Sequence, residues 1–263
     1  MERELLYALV GTGFTCGATI VGAALVFFFK KDITKNAQRI FLGFAAGIMI
    51  AASVWSLIMP ALHKAEELGQ SPVLMVTLGF VAGVVFLLVL DNFLPHLHPE
   101  DGTREGPPLK IKKNMMIVIA ITLHNIPEGM AVGLVFAAAA ADMSPASWAA
   151  ALALAVGMGL QNLPEGAAVS LPLRTQGMSR KKAFFLGAMS GVVEPVFGIL
   201  AVLVAGSIGG IMPFILAFAA GAMMYVVVEE MIPEANLGEH SHTGTISVMA
   251  GFLLMMIFDI VLS

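Results

Sequence analysis

Eight long apolar runs constrain the fold of this chain more than any other feature of its sequence. Each run is about 20 residues or longer, the length that a helix needs to cross a hydrocarbon core of about 30 Å. The runs lack the alternating short strands of a transmembrane barrel. We therefore expect an all-α polytopic membrane protein, an eight-helix bundle that forms a single transmembrane domain over residues 1–263. The runs fall near residues 5–29, 40–62, 72–95, 114–140, 146–172, 183–207, 211–234 and 245–262.

The composition supports the same fold class. Of the 263 residues, 58% are hydrophobic and 12% are charged, whereas soluble domains have roughly 25% charged residues. The first run is longer than a signal peptide and follows the mixed-charge start MERE, so we expect it to remain in the mature protein. Cys16 is the only cysteine, which excludes an intrachain disulfide and a thiolate metal cluster.

The basic residues predict the orientation in the membrane. They are concentrated in the loops after the first, third and fifth runs, and the opposite side has only Arg3 and Lys64. Because basic loops remain in the cytoplasm, we expect both termini to lie outside, in a multi-pass protein of a cell inner (plasma) membrane. The basic loop residues are Lys30, Lys31, Lys35, Arg39, Arg104, Lys110, Lys112, Lys113, Arg174, Arg180, Lys181 and Lys182.

Polar side chains lie deep in the fourth, fifth and sixth runs. A charged side chain at the bilayer centre costs about 3 kcal/mol on an insertion scale, so such groups rarely face lipid. We expect them to face one another or a wet cavity. At about 1.5 Å per residue, five of them lie roughly 14 to 22 Å from the basic ends of their helices: His124, Glu128, Gln161, Glu165 and Glu194.

The local sequence adds ligand groups around these side chains. Residues at i and i+4 share a helix face, so His124 and Glu128 point the same way, as do Gln161 and Glu165. Prolines at 127, 164 and 195 cannot donate to the preceding turn, and each frees a backbone carbonyl. An imidazole, carboxylates and amide oxygens together favour a mixed nitrogen and oxygen site for a divalent transition metal. For each residue taken alone, the alternative is an interhelical hydrogen bond.

Three motifs resemble those of a known family. HNIPEG (124–129), QNLPEG (161–166) and SGVVEP (190–195) resemble the paired motifs of the ZIP (Zrt/Irt-like) family of divalent metal transporters, in particular its bacterial branch. The resemblance implies a two-metal centre on the fourth, fifth and sixth helices. It assigns the first metal to His124, Glu128, Gln161 and Glu165, and the second to Asn125, Asn162, Glu165 and Glu194, with Glu128 and Glu165 able to bridge.

The resemblance also implies a mechanism and an assembly. The first, fourth, fifth and sixth helices would move against the other four, in a homodimer that imports Zn²⁺ and related ions and uses no organic cofactor or nucleic acid. Inverted repeats, common in carriers, would relate the first three helices to the last three. Many relatives have His where this chain has Gln161, and some have Asp at Asn162. We therefore expect a weaker preference for Zn²⁺ over Cd²⁺, Fe²⁺ or Mn²⁺.

A second group of acidic and histidine residues lies near the cytoplasmic ends of the third and seventh helices. By the resemblance, these residues form a secondary metal site at the exit, and solvated loop polarity is the alternative. His63, near the outer end of the second helix, and Asp259, in the eighth, have no assigned role. The exit residues are Asp91, His96, His98, Glu229, Glu230, His240 and His242.

Three other functions use similar ligands. An intramembrane metalloprotease would require an HExxH helix or another open metal site with a water, and no HExxH occurs. We therefore expect a transporter and not an enzyme. An exporter or proton-coupled antiporter differs only in the direction or coupling of flux. A membrane protein that senses or stores metal without transport is the third alternative.

Overall fold

The computed structural model describes residues 1–29, 34–93, 96–97, 104–105, 113–208, 210–236 and 242–262. Within these residues, eight helices are long and apolar enough to cross a membrane, which confirms the all-α polytopic fold. In chain order they are α1 (Glu2–Ala24, then a 3₁₀ turn at Leu25–Phe27), α2 (Lys35–Ala52, Ser53–Ile58 and Met59–Glu67), α3 (Pro72–Phe93), α4 (Lys113–Asp142), α5 (Pro145–Thr175), α6 (Arg180–Gly191 and Val193–Ser207), α7 (Met212–Val226, Val227–Met231 and Ile232–Asn236) and α8 (Thr243–Leu262).

The helix bounds differ from the apolar runs mainly because polar end residues continue the helices. The Thr34 side chain accepts a hydrogen bond from the Ala37 backbone N–H at 3.3 Å, so α2 begins before its apolar part. Ser144 and Ser179 cap α5 and α6 in the same way. Between α3 and α4, the strands β1 (His96–Leu97) and β2 (Arg104–Glu105) pair antiparallel.

The helices pack in pairs: α1 with α5, α4 with α6, α2 with α8 and α3 with α7. An inverted repeat that exchanges α1–α3 with α6–α8 and α4 with α5 converts the first pair into the second and the third into the fourth. The pairing therefore has the symmetry expected of inverted repeats. We call α1, α4, α5 and α6 the site bundle, and α2, α3, α7 and α8 the flanking bundle.

Glycines let the backbones of the site bundle approach closely. A Cβ atom at Gly22 of α1 would overlap the carbonyl oxygen of Leu163 in α5. A Cβ atom at Gly129 of α4 would overlap the backbone of Glu194 in α6. Small residues at such crossings are the usual means of tight helix packing in membranes. These contacts hold the three motif segments against one another.

Two π-helical turns interrupt the flanking bundle at related positions. Ser53–Ile58 interrupts α2 just before Pro60, and Val227–Met231 interrupts α7 just before Pro233. Because proline cannot donate a backbone hydrogen bond to the preceding turn, the backbone there forms a wider turn. Such π turns occur frequently at functional sites, and the turn in α7 contains the predicted exit residues Glu229 and Glu230.

Candidate metal centre

Each motif contains a proline, and the three prolines occupy two kinds of position in their helices. Pro127 and Pro164 lie inside the continuous helices α4 and α5. Pro195 instead lies in the first turn of the second half of α6, where a missing N–H leaves no hydrogen bond unmade. Glu194 is in the same first turn, where the positive end of the helix dipole favours a carboxylate.

Hydrogen bonds connect the three motif helices in every combination. The Gln161 Nε2 atom of α5 donates to Glu128 Oε1 of α4 at 2.7 Å. The Asn162 Nδ2 atom of α5 donates to Glu194 Oε1 of α6 at 2.9 Å. The Asn125 Nδ2 atom of α4 donates to the Ser190 carbonyl of α6 at 2.9 Å. The structure thus brings these predicted site residues together, and each of the five has an exposed fraction of 0%.

One side-chain oxygen of each of these five residues, and one of Glu165, is left without a donor among the described residues. All three amide groups use their nitrogens in the contacts above, and no partner among the described residues reaches six buried oxygens. A buried acceptor without a donor costs about 1–3 kcal/mol, so six on three contacting helices require an explanation. Three carboxylate and three amide oxygens fit a divalent cation. The atoms are Asn125 Oδ1, Glu128 Oε2, Gln161 Oε1, Asn162 Oδ1, Glu165 Oε2 and Glu194 Oε2.

The site is partly exposed at His124 and Glu165. Glu165 is close enough to Glu128, Glu194 and His124 to interact electrostatically with each. His124 Nε2 lies 3.0 Å from Glu230 Oε1 of α7, and these two side chains are 15% and 30% exposed. The predicted ligand His124 therefore contacts the flanking bundle in this conformation.

The carboxylates do not yet surround a common point. In the part of the chain that the structure describes, no three His, Cys, Asp or Glu side chains converge closely enough to hold one metal ion. Glu128 and Glu194 each contact an amide N–H instead. Metal binding at this centre would therefore require local rotation of side chains, with the cation replacing the amide donors.

The predicted exit residues divide into three groups. Glu230 contacts His124, and Asp91 accepts a hydrogen bond from the Tyr225 hydroxyl at 3.1 Å. Glu229 and His242 are exposed. His96 belongs to β1, and its side chain lies outside the described part of the structure, as do His98 and His240 entirely. Among the exit residues that the structure describes, Glu230 contacts the candidate metal centre directly.

Several contributors were missed by sequence reasoning. Glu234 lies close enough to His124 and Glu230 to interact with both. Thr19 of α1 lies 3.3 Å from Glu194, and Ser190 accepts from Asn125. The spacing of Thr12, Thr15 and Thr19 on one face of α1 was the available signal, because a polar stripe in a membrane helix faces a neighbour and not lipid.

Two other residues singled out earlier lie apart from the centre. Asp259 of α8 is buried and accepts a hydrogen bond from Ser56 in the π turn of α2 at 3.1 Å. This contact connects two helices of the flanking bundle. His63 is exposed near the end of α2.

The chain is similar to known proteins over most of its length. The family model described as ZIP Zinc transporter matches residues 110–259, which include all three motifs. Human Zinc transporter ZIP11 is 36% identical, over 98% of this chain and 98% of its own length. Zinc transporter GufA of Myxococcus xanthus is 37% identical, over 92% of this chain and 93% of its own length. Zinc transporter ZIPB of Bordetella bronchiseptica is 36% identical, over 96% of this chain and 80% of its own length.

Proposed function

This chain belongs to the ZIP family of zinc transporters, and on that premise we propose that it carries Zn²⁺ into the cytoplasm through the centre between α4, α5 and α6. The family consists of transporters and not enzymes, which removes the metalloprotease alternative. The observation that carries the proposal is the set of six buried oxygens without hydrogen-bond donors. A dication supplies the opposite charge for the two fully buried carboxylates, Glu128 and Glu194, and for the partly exposed Glu165.

We assign two metal positions on this centre. His124, Glu128, Gln161 and Glu165 form the first, and Asn125, Asn162, Glu165 and Glu194 form the second, with Glu128 and Glu165 able to bridge. The hydrogen bonds of Gln161 and Asn162 to the two glutamates support this arrangement. They hold the carboxylates in place with neutral donors that an incoming ion can displace. Rotating the two amides would then present their oxygens to the metal.

Exposure and charge indicate which side of the membrane this conformation of the centre faces. His124 and Glu165 are the partly exposed members of the centre, and they are nearer to the basic ends of α4 and α5 than Glu128 and Gln161. Basic ends face the cytoplasm, so we assign this conformation to the state that releases metal inward, with both termini outside. Glu230, next to His124, would take the released ion toward Glu229, Asp91 and the histidines of the exit.

Other parts of the proposal concern selectivity, assembly and location. Gln161 in place of an imidazole leaves the first position with one nitrogen ligand, which favours transport of Cd²⁺, Fe²⁺ and Mn²⁺ beside Zn²⁺. The site bundle would move against the flanking bundle, with the flanking bundle forming a homodimer in a bacterial inner membrane. Exposure toward the cytoplasm serves an exporter equally well, so the direction of flux must be measured.

The test is uptake of Zn²⁺ into proteoliposomes of known orientation, with Cd²⁺, Fe²⁺ and Mn²⁺ as competitors. We expect Glu128→Ala and His124→Ala to abolish uptake while the amount of folded protein is unchanged. Glu67→Ala is the matched control, because Glu67 is an exposed residue at the end of α2. Wild-type uptake in both site variants would overturn the proposal, and outward flux under the same gradient would identify an exporter.

A further inference from the structure

Helix α1 presents three buried threonines toward the other helices of the site bundle. Thr12, Thr15 and Thr19 each have an exposed fraction of 0%. The Thr12 hydroxyl donates to the Ala8 carbonyl of its own helix at 2.7 Å. Thr19 is different, because its Oγ1 atom lies 3.3 Å from Glu194 Oε1 and 3.4 Å from the Thr15 carbonyl. Thr15 also interacts with the Glu194 carboxylate, so two threonines of α1 reach a predicted metal ligand on α6.

A second contact ties the same carboxylate to α1. Asn162 Nδ2 donates both to Glu194 Oε1 at 2.9 Å and to the Thr15 carbonyl at 3.2 Å. Glu194 Oε1 thus contacts a hydroxyl and an amide, whereas Glu194 Oε2 and Asn162 Oδ1 contact no donor among the described residues. The hydrogen bonds orient both side chains so that one oxygen of each remains available to an ion.

The backbone around Thr19 leaves its side chain little freedom. A Cβ atom at Gly191 would lie 2.8 Å from Thr19 Cβ, and one at Gly166 would overlap the Thr19 carbonyl oxygen. Thr19 is therefore held by α5 on one side and α6 on the other. Threonine in a helix has two χ1 rotamers available, and in the one seen here the hydroxyl lies between Glu194 and the Thr15 carbonyl.

We propose that Thr19 is a positioning residue of the metal centre, whose hydroxyl orients Glu194 for the ion held by Asn162, Glu165 and Glu194. The inference rests on the proposed function and adds α1 to the three helices, α4, α5 and α6, that determine metal affinity. The hydroxyl does not touch the ion, and it acts through the carboxylate. A hydrogen bond to a charged group in a dry site is about twice as strong as a neutral one, so its loss affects affinity.

The test compares Thr19→Val, Thr19→Ser and Thr12→Val in zinc uptake and in zinc titration of the purified protein. Valine keeps the shape of threonine and removes the hydroxyl. We expect Thr19→Val to weaken zinc affinity and raise KM roughly tenfold, as loss of one charge-assisted hydrogen bond predicts. Thr19→Ser restores affinity to within about twofold. Thr12→Val behaves as wild type, because its hydroxyl bonds only within α1.

A double substitution distinguishes positioning from packing. If Thr19 acts through Glu194, Thr19→Val has little further effect on zinc affinity in a Glu194→Ala background. A full tenfold loss in both backgrounds, or no rescue by serine, assigns Thr19 a packing role and overturns the inference. Wild-type affinity in Thr19→Val overturns it as well, and if Glu128→Ala still abolishes uptake, the proposed function stands. Uptake that survives Glu128→Ala would overturn the proposed function instead.

Discussion

The two bundles are packed in the same way but differ in what they bury. Both bring helices together at glycines, as Gly22 does against Leu163 in the site bundle and Gly47 against Val248 in the flanking bundle. The site bundle encloses two fully buried carboxylates, Glu128 and Glu194. Amide groups donate hydrogen bonds to both, and the Thr19 hydroxyl also contacts Glu194. In the flanking bundle, Glu229 is exposed and Glu230 partly exposed at the π turn of α7, and the buried Asp259 lies near the end of α8. We infer that the first bundle holds the ion and the second receives it.

The largest expected effect comes from filling a glycine contact. Gly22→Ala places a Cβ atom on the Leu163 carbonyl, whereas Gly17→Ala on the same helix meets no atom within 4 Å. Because overpacking costs about 1–3 kcal/mol or more, we expect Gly22→Ala to lower the melting temperature sharply and Gly17→Ala to leave it unchanged. Thermal unfolding in detergent measures both.

Gly47→Ala extends this prediction to the other bundle. It should lower the melting temperature as Gly22→Ala does, since a Cβ atom there would overlap the Val248 carbonyl. In the protein that remains folded, only Gly22→Ala should also weaken zinc binding, because Gly22 packs against α5 beside Asn162 and Gln161. Equal zinc affinities for the two variants would contradict the division of labour between the bundles.

The contact between the bundles predicts a smaller effect on transport. Glu230→Gln removes the charge that lies 3.0 Å from His124. We expect kcat for zinc uptake to fall about tenfold, comparable to the loss of one hydrogen bond to a charged group, with KM nearly unchanged. Glu67→Gln, at the exposed end of α2, is the control. A rise in KM without a fall in kcat would place Glu230 at the binding step and not at release.

Selectivity is expected to change with one ligand of the site bundle. Gln161→His adds an imidazole where the amide now contacts Glu128 at 2.7 Å. Imidazole suits Zn²⁺, whereas carboxylate and carbonyl oxygens suit Mn²⁺. We expect competition assays to show a severalfold shift toward Zn²⁺ over Mn²⁺. An unchanged order of the metals would show that Gln161 is not a ligand.

The smallest effect is expected at the surface of the flanking bundle. Lys64 Nζ lies 2.8 Å from Glu67 Oε2, and these side chains are 47% and 64% exposed. Exposed ion pairs contribute about 0–1 kcal/mol, so Lys64→Ala should change neither the melting temperature nor uptake measurably. A loss of uptake in this variant would mean that a surface charge of the flanking bundle takes part in transport.

The depth of the site residues in the membrane could be predicted from the sequence, whereas the side-chain contacts between helices could not. The positions of Glu128, Gln161 and Glu194 follow from counting residues from the basic helix ends, and the i, i+4 rule placed their neighbours on one face. The apolar runs likewise predicted eight helices, with polar end residues such as Lys35 and Glu67 lying outside the pattern.

What could not be predicted depends on the rotation of whole helices. Thr19 meets Glu194 across 175 residues of sequence, and His124 meets Glu230 of the other bundle. Both contacts depend on how closely the backbones approach at glycines, which composition does not reveal. The π turns were missed for a similar reason, because Pro60 and Pro233 show where a helix is interrupted but not how the backbone re-forms.

The central claim is that oxygens from α4, α5 and α6 surround the transported ion. Anomalous scattering at the zinc edge from zinc-soaked crystals tests it most directly. Metal density is expected within about 2.0–2.2 Å of carboxylate oxygens of Glu128, Glu165 and Glu194, with the Gln161 and Asn162 amides turned from their present partners. Zinc bound only elsewhere, with the hydrogen bonds from Gln161 to Glu128 and from Asn162 to Glu194 intact, would contradict it.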